Sequence, residues 1–340
     1  MIRALLAATF VVAAPALAQQ PAAYGERREV QAFIQDMVKR HGFIEAELVY
    51  LFSRVRKADQ VIEAIEKPAE RIRPWREYRA TFMDERRILD GLAFWRSHRR
   101  ALARAEKAYG VPAEYVVAII GVETFYGRNT GRWRVVDALT TLAFDYPPRA
   151  SFFRSELENY LLFARDGNLD VFAMRGSYAG AMGLPQFMPS SARRYAVDFD
   201  KDGAIDLRRS PSDVIGSVGN FLKQHGWRAG GAVALPARVS GDAWKSLTGS
   251  SEPKVPVARW LEAGVQIDQH SPELEAQPAI LAELWNGEAP SDYRLGFRNF
   301  YVITRYNRSA VYASAVSDLA QALRARAPKP ARSESTAAKK

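Results

Sequence analysis

Residues 112–124 read Pro112-Ala-Glu-Tyr-Val-Val-Ala-Ile-Ile-Gly-Val-Glu-Thr124. Proline is tolerated in the first turn of a helix, and Gly110 just ahead of it punctuates the end of whatever helix comes before. Val116, Ile119 and Ile120 then form an apolar stripe at helical spacing, and the next step of that stripe falls on Glu123. A carboxyl group is thereby predicted on a face meant for the core. Burial without a fixed cation raises a carboxyl pKa, and a glutamate still protonated near neutral pH can act as a general acid. The competing reading is a structural ion pair, for which Arg128 or Arg132 is close enough in sequence. The stretch by itself leaves both open.

Working outward, apolar residues recur at helical spacing on either side. Phe33, Ile34, Met37 and Val38, then Leu48, Leu51, Phe52 and Val55, predict two helices separated at His41-Gly42. Leu89, Leu92, Phe94, Trp95, Leu102 and Ala105 repeat the pattern, giving a helical N-terminal lobe over 24–109. Helical signal continues through Ser151–Phe163 and Pro211–His225, within a core expected over 110–229. Between 230 and 297 the character changes to short runs, Val233–Val239, Val255–Val257 and Ala279–Trp285, separated by Gly, Pro and Asp, which predicts a small β-rich insertion. Ala310–Leu323 returns to helical patterning, so 298–323 is expected to rejoin the helical body. The remainder, 324–340, is Pro-, Ser-, Ala- and Lys/Arg-rich and is expected to be a disordered basic tail.

Composition limits the function. In 340 residues, 48 Lys+Arg against 38 Asp+Glu leave a net charge of +10, with 48% hydrophobic residues and no cysteine. That is ordinary globular composition, which excludes collagen-like and wholly disordered chains. Cysteine's absence removes thiol nucleophiles, cysteine-ligated zinc and lipid attachment through an N-terminal cysteine. The start, Met1-Ile-Arg3 followed by uncharged apolar residues to Leu17 and ending Ala16-Leu-Ala18, predicts a secretory signal peptide cleaved after Ala18. Its ~14 apolar residues fall short of the ~20 that span a bilayer. A soluble periplasmic protein is expected, without a transmembrane segment. Its positive charge suits an anionic cell-wall partner, with nucleic acid excluded by compartment.

An acidic loop, Asp198-Phe-Asp-Lys-Asp-Gly-Ala-Ile-Asp206, places oxygens at positions 1, 3, 5 and 9 and glycine at 6, as in the first half of an EF-hand. Position 12 is Arg209 in place of the bidentate glutamate, and the next acid is Asp213. A metal-free Asx turn is the alternative.

The string Ala118–Gly127, together with Ser177-Tyr-Ala-Gly-Ala-Met-Gly-Leu-Pro-Gln-Phe-Met-Pro-Ser190, resembles the lytic murein transglycosylase B family. The resemblance extends through Arg194–Asp200, His225-Gly-Trp227 and Asn299–Asn307, and covers most of the chain. It implies a mainly α fold: a lysozyme-like helical core, a helical N-terminal lobe and a small β-rich inserted lobe. It implies peptidoglycan as substrate, cut at the MurNAc-β-1,4-GlcNAc bond, with cell-wall synthesis or division proteins as further partners. Glu123 matches the catalytic acid/base, Ser177 and Gln186 match polar residues lining sugar subsites, and Tyr306, Asn307 and Tyr312 match groups around the acid. Asp198, Asp200, Asp202 and Asp213, with the carbonyl of Ala204, match ligands of a structural Ca2+; no catalytic cofactor is implied. Tyr126 lies in the motif without an assigned role. Asp137, Asp145 and Asp170 lie elsewhere in sequence, so no second acid stands beside Glu123 as ordinary hydrolysis requires. The implied product is a 1,6-anhydroMurNAc end, formed when the sugar's own C6 hydroxyl attacks C1. A non-catalytic peptidoglycan-binding protein of the same fold and a hydrolytic muramidase are the alternatives.

Overall fold

The computed structural model of the chain describes residues 23–66 and 73–327. The expected signal peptide, 1–18, lies outside them. The chain falls into two compact units, one ending at Arg56 and one starting at Lys57. In the first, α1 (Arg28–His41) ends on Gly42, whose left-handed φ of 67° a side chain would disfavour, and α2 (Glu45–Arg54) follows. Val30, Ile34 and Met37 are buried, as are Leu48 and Phe52, and the rings of Phe33 and Phe52 meet edge to face at 6.0 Å.

The second unit begins with α3 (Asp59–Glu66), α4 (Trp75–Ala80), α5 (Glu85–Ser97), α6 (Arg99–Tyr109) and α7 (Ala113–Thr124). Asp84 caps α5 by accepting from the Arg87 N–H at 2.9 Å, and Gly110 closes α6 at φ 70°. Helix α7 is buried on nearly every side, including Val117 and Ala118 as well as Val116, Ile119 and Ile120. An all-round apolar helix belongs at the centre of a helical body, and α7 packs against α5, α6 and two further helices, α11 (Pro211–Gln224) and α15 (Ala310–Arg326), described below.

The chain continues through β1 (Trp133–Arg134), α8 (Val135–Asp145), α9 (Ala150–Asp166) and β2 (Arg175–Gly176), with β2 antiparallel to β1. Then come α10 (Pro189–Tyr195) and α11, whose N-cap Ser210 accepts from the Asp213 N–H. The β-rich stretch holds β3 (Ala234–Val239), β4 (Val255–Pro256), α12 (Val257–Glu262), β5 (Val265–Gln266), α13 (Pro272–Glu275), β6 (Pro278–Asn286) and β7 (Ala289–Gly296). These strands form one antiparallel sheet in the order β4-β6-β7-β3-β5. Its own small core gathers Trp244, Val257, Trp260, Val265, Ala279 and Leu295. Two elements return to the helical body, α14 (Arg298–Thr304) and the capped α15.

Strands β5 and β7 go beyond the three runs expected from sequence. Strand β7, Ala-Pro-Ser-Asp-Tyr-Arg-Leu-Gly, is polar enough to read as loop, and it pairs because the two-residue turn Gly287-Glu288, with Gly287 at φ 71°, brings the chain back on β6. The start expected for the tail, residue 324, is corrected, and residues 328–340 lie outside the described residues. Arg324 and Arg326 are still helical, and Arg326 forks onto both oxygens of Glu85 at 2.7 and 2.8 Å. Among the described residues no helix is long and apolar enough to cross a membrane.

One charge cluster, centred on the buried Asp318, fastens the sheet to the helices. Asp318 on α15 accepts two bonds from Arg294 on β7, at 2.6 and 3.0 Å, and one from Arg79 on α4 at 2.5 Å. Trp75 of α4 packs with Leu284 and Ala315 beside it and lies under the Arg294 guanidinium. Removing one partner of a buried pair leaves the other charge uncompensated. Asp318→Ala is therefore expected to lower stability by about 3 kcal/mol, and Asp318→Asn by less, as read by urea unfolding. An unchanged midpoint for Asp318→Ala would show that the cluster carries no stability.

Candidate active site

Glu123 sits in the last turn of α7, and the backbone after it is unusual. Phe125 and Tyr126 both occupy the left-handed region, at φ 51° and 57°, a conformation that costs non-glycine residues roughly 1 kcal/mol or more each. Three residues hold this turn. Arg87 donates to the Gly121 carbonyl at 2.6 Å and lies over the Phe125 ring at 4.4 Å, putting a cation at the negative end of the helix. The Thr124 hydroxyl donates to the Leu184 carbonyl at 3.0 Å and accepts from the Gly127 N–H at 3.1 Å. Tyr126 turns inward under Gly91 and Gly121, where an added Cβ would meet its hydroxyl at 2.3 and 2.5 Å, and stacks on Phe94 at 5.7 Å. Its role is to fill the gap between α5 and α7.

The Glu123 carboxyl accepts a 2.6 Å hydrogen bond from the Tyr312 hydroxyl on α15. Burial pushes its pKa up to about 7, against which the Tyr312 bond acts in the opposite direction. The ion-pair reading fails. Arg128 pairs with Asp90 at 2.8 Å and Arg132 lies over Trp133 at 4.5 Å, while neither a cation nor a second carboxylate perturbs Glu123. Asp137 is held by Arg134 at 2.6 and 2.8 Å, and Asp170 accepts from the Phe172 N–H.

Phenols surround the acid instead. Tyr306 stacks on Tyr312 with ring centroids 6.5 Å apart and planes 14° from parallel, and its hydroxyl donates to the Pro185 carbonyl. Burial, reinforced by the charge on Glu123, raises the pKa of Tyr306, Tyr312 and Tyr78. These hydroxyls therefore stay protonated and remain hydrogen-bond donors. Tyr78, from α4, is the member that the sequence did not single out, because nothing in Trp75-Arg-Glu-Tyr78 distinguishes it from a surface helix residue.

The glycine-rich segment is docked on this cluster through Leu184 and Pro185, the acceptors of Thr124 and Tyr306. Ser177 caps its first turn, accepting from the Ala181 N–H at 3.0 Å. Gln186, at φ 50°, donates to the carbonyls of Gly183 at 2.8 Å and Thr130 at 3.2 Å. Gly183 is required, since at φ 67° an added Cβ would lie 2.4 Å from the Leu207 carbonyl. Ser177 and Gln186 thus shape the loop, and neither bonds to Glu123. Asn307 is exposed, with its carbonyl accepting from the Ser309 N–H at 2.7 Å. Of the six sequence-derived site residues, the structure brings Glu123, Tyr306 and Tyr312 together.

In the acidic loop, carboxylate oxygens of Asp198, Asp200 and Asp202 lie within 4.8 Å of one another. Gly203, at φ 94° with open space around its Cα, makes the turn, and Ala204 is exposed beside it. Such a hard-oxygen set fits a calcium ion. Asp213 stands outside this three-acid group. Its two oxygens accept from the Phe199 and Asp206 N–H groups, both at 2.8 Å, so this buried residue ties the two ends of the loop.

A lysozyme-like helical body with an inserted β lobe, and one protonatable carboxyl among phenols, defines an enzyme that cleaves glycans by acid–base chemistry. The chain matches the transglycosylase SLT domain over residues 25–321 and belongs to that family. It is 42% identical over 309 residues to membrane-bound lytic murein transglycosylase B of Escherichia coli (strain K12), spanning 88% of this chain and 84% of that protein. The soluble lytic transglycosylase SltB1 of Pseudomonas aeruginosa superposes with a TM-score of 0.82 at 48% identity, over 88% of this chain and 99% of that one. The Escherichia coli lytic transglycosylase Slt35, in a structure with calcium, gives 0.80 at 41% identity, over 88% and 94%.

The raised pKa of Glu123 has a thermodynamic signature. Below the ordinary carboxyl value, near 4.5, folded and unfolded states are both protonated and the group is neutral for stability. As pH rises from there through about 7, the unfolded chain ionises first and the native state loses stability. Glu123→Gln removes that penalty. Its stability relative to the wild type should rise between pH 5 and pH 8 by on the order of 2–3 kcal/mol. Parallel thermal melts at the two pH values measure it, and a constant difference would show that Glu123 titrates normally.

Proposed function

We propose that this protein is a lytic murein transglycosylase acting on peptidoglycan, in which Glu123 serves first as acid and then as base. The observation that carries the assignment is a carboxyl bonded by a phenol and pushed by burial to a pKa of about 7, with no second carboxylate among the described residues perturbing it. Hydrolases of the usual kind place two carboxyls about 5–5.5 or 6.5–9.5 Å apart. One carboxyl suffices if the nucleophile is already part of the substrate.

The protonated Glu123 gives its proton to the glycosidic oxygen of the MurNAc-β-1,4-GlcNAc bond, and the C1–O bond breaks as positive charge builds on C1. The substrate's N-acetyl group stabilises that centre. The Glu123 carboxylate then takes the proton of the MurNAc C6 hydroxyl, whose oxygen bonds to C1 and closes a 1,6-anhydro ring. Holding the ring so that O6 faces C1 replaces a bimolecular attack by an intramolecular one. Tyr312 tracks the charge, since its hydrogen bond is stronger to the carboxylate than to the acid. Tyr306 and Tyr78 keep water-poor, donor-rich walls around it. Ser177, Gln186 and Asn307, on the loop and turn flanking these tyrosines, are assigned to the sugar subsites. Residues 1–18 are assigned to export as a signal peptide cleaved after Ala18, which is the reading that puts the enzyme in the periplasm.

Glu123→Gln keeps the side chain's shape but removes the transferable proton, so turnover on purified sacculi should fall by about 10²-fold or more. Digestion in heavy-oxygen water tests the attacking group. Products should carry no heavy oxygen at MurNAc C1 and weigh one water less than hydrolytic ends; labelled reducing ends would make the enzyme a muramidase.

Calcium is assigned to the Asp198, Asp200 and Asp202 cluster as a structural ion that stiffens the loop. A ligand that binds only the native state raises Tm by mass action. Millimolar calcium should therefore raise Tm over the chelated protein by a few degrees, and Asp200→Ala should abolish the response. Superimposable melts with chelator and with calcium would leave only a metal-free turn.

A further inference from the structure

Away from Glu123, a cavity of about 1030 Å³ opens between the α5–α6 junction and the acidic loop. Pockets for small ligands run to roughly 300–1,000 Å³, so this one accommodates a short peptide. Five guanidinium groups line it: Arg96, Arg99, Arg100, Arg104 and Arg209. Arg104 is structural, donating to the Phe199 carbonyl at 2.5 Å and to Ser212 at 3.2 Å, and lying over the Phe199 ring at 4.1 Å. It braces the two walls. The other four are exposed, and none has an ion-pair partner among the described residues. Four unpaired guanidiniums converging on one concave surface repel one another, and an anion relieves that repulsion. Helix α6 also begins here without a side-chain cap, which adds first-turn N–H groups that favour negative charge.

The opposite wall carries acids, but their oxygens are partly engaged. Asp200 accepts from Ser210, Asp202 from the Ala204 N–H, and one oxygen of Asp206 from the Arg208 and Arg209 N–H groups. Asp206 lies outside the three-acid cluster. Its second oxygen is left to receive an ammonium group. Carboxylates facing the arginines with an amine facing Asp206 describe an acidic peptide that also carries an amine.

We propose that this cleft is a second binding site on the enzyme, taking the acidic peptide stems that branch from the glycan. This rests on the murein-cleaving assignment for the source of the peptide, though not for its chemistry. Engaging a stem here anchors the enzyme on the wall while a sugar strand occupies the Glu123 site.

The test is isothermal titration of the full chain, at low salt, with a synthetic sugar-free stem tetrapeptide containing a diamino acid. The wild type should bind it saturably. Arg99→Gln combined with Arg100→Gln should weaken binding tenfold or more, as should Arg209→Gln from the other wall, and the peptide with amidated carboxylates should not bind. With sacculi as substrate, KM of the double variant should rise several-fold more than with peptide-free glycan strands. Matching melting curves for variant and wild type confirm folding, since these exposed side chains hold nothing together. Equal peptide affinity in wild type and variants overturns the proposal, as does equal affinity for the amidated peptide. Binding of phosphatidylglycerol vesicles through the same arginines, without binding of the peptide, also overturns it. Peptide binding by a wild type that cleaves neither glycan supports the cleft and sinks only the acid–base assignment.

Discussion

The hydrogen bond from Tyr312 to Glu123 governs the arrangement around it, because a carboxyl largely withdrawn from water needs a partner and a phenol is a very different partner from a cation. A guanidinium in that place would hold the carboxyl ionised and useless as an acid. The hydroxyl satisfies the oxygen while leaving the proton's affinity to be set by burial. For the same reason the nearby arginines are engaged elsewhere, Arg128 by Asp90, Arg132 by the Trp133 ring, and Arg87 by the Gly121 carbonyl and the Phe125 ring. The basic character of the chain is kept away from the one acid that must remain neutral.

Holding a helix end in this geometry involves strained backbone at Phe125 and Tyr126, offset by contacts that arrive from distant parts of the chain. Thr124 and Tyr306 fix the glycine-rich segment from two sides, while Tyr126 occupies the space that Gly91 and Gly121 leave open. The site is therefore built by packing before any sugar arrives, which is the condition for electrostatic stabilisation without reorganisation.

The parts legible in sequence were those with a local signature. Glu123 interrupts an apolar stripe, Gly42 and Gly110 stop helices, and Asp198 to Gly203 carry turn chemistry within a few residues. The mainly helical fold with a β insertion followed from periodicity and from the family resemblance together. What stayed hidden depends on long-range pairing or on the choice among equivalent oxygens. Tyr78 reaches the acid's surroundings from an unremarkable helix. Strand β7 is polar, and only its pairing with β6 and β3 makes it a strand. Asp213 reads in sequence only as a further acid, while in the fold its two oxygens accept from backbone N–H groups on both sides of the loop. Arg326 reads as tail in sequence because its partner, Glu85, lies far away along the chain.

The Asp318 cluster couples parts that look separable. It joins α4, which carries Tyr78, to β7 of the inserted sheet and to α15, which carries Tyr312. The insertion therefore cannot be treated as a removable accessory. A lineage that trimmed it would strip Arg294 from Asp318 and loosen the two helices that frame the acid, so shortening the insert and retuning the chemistry would have to evolve together.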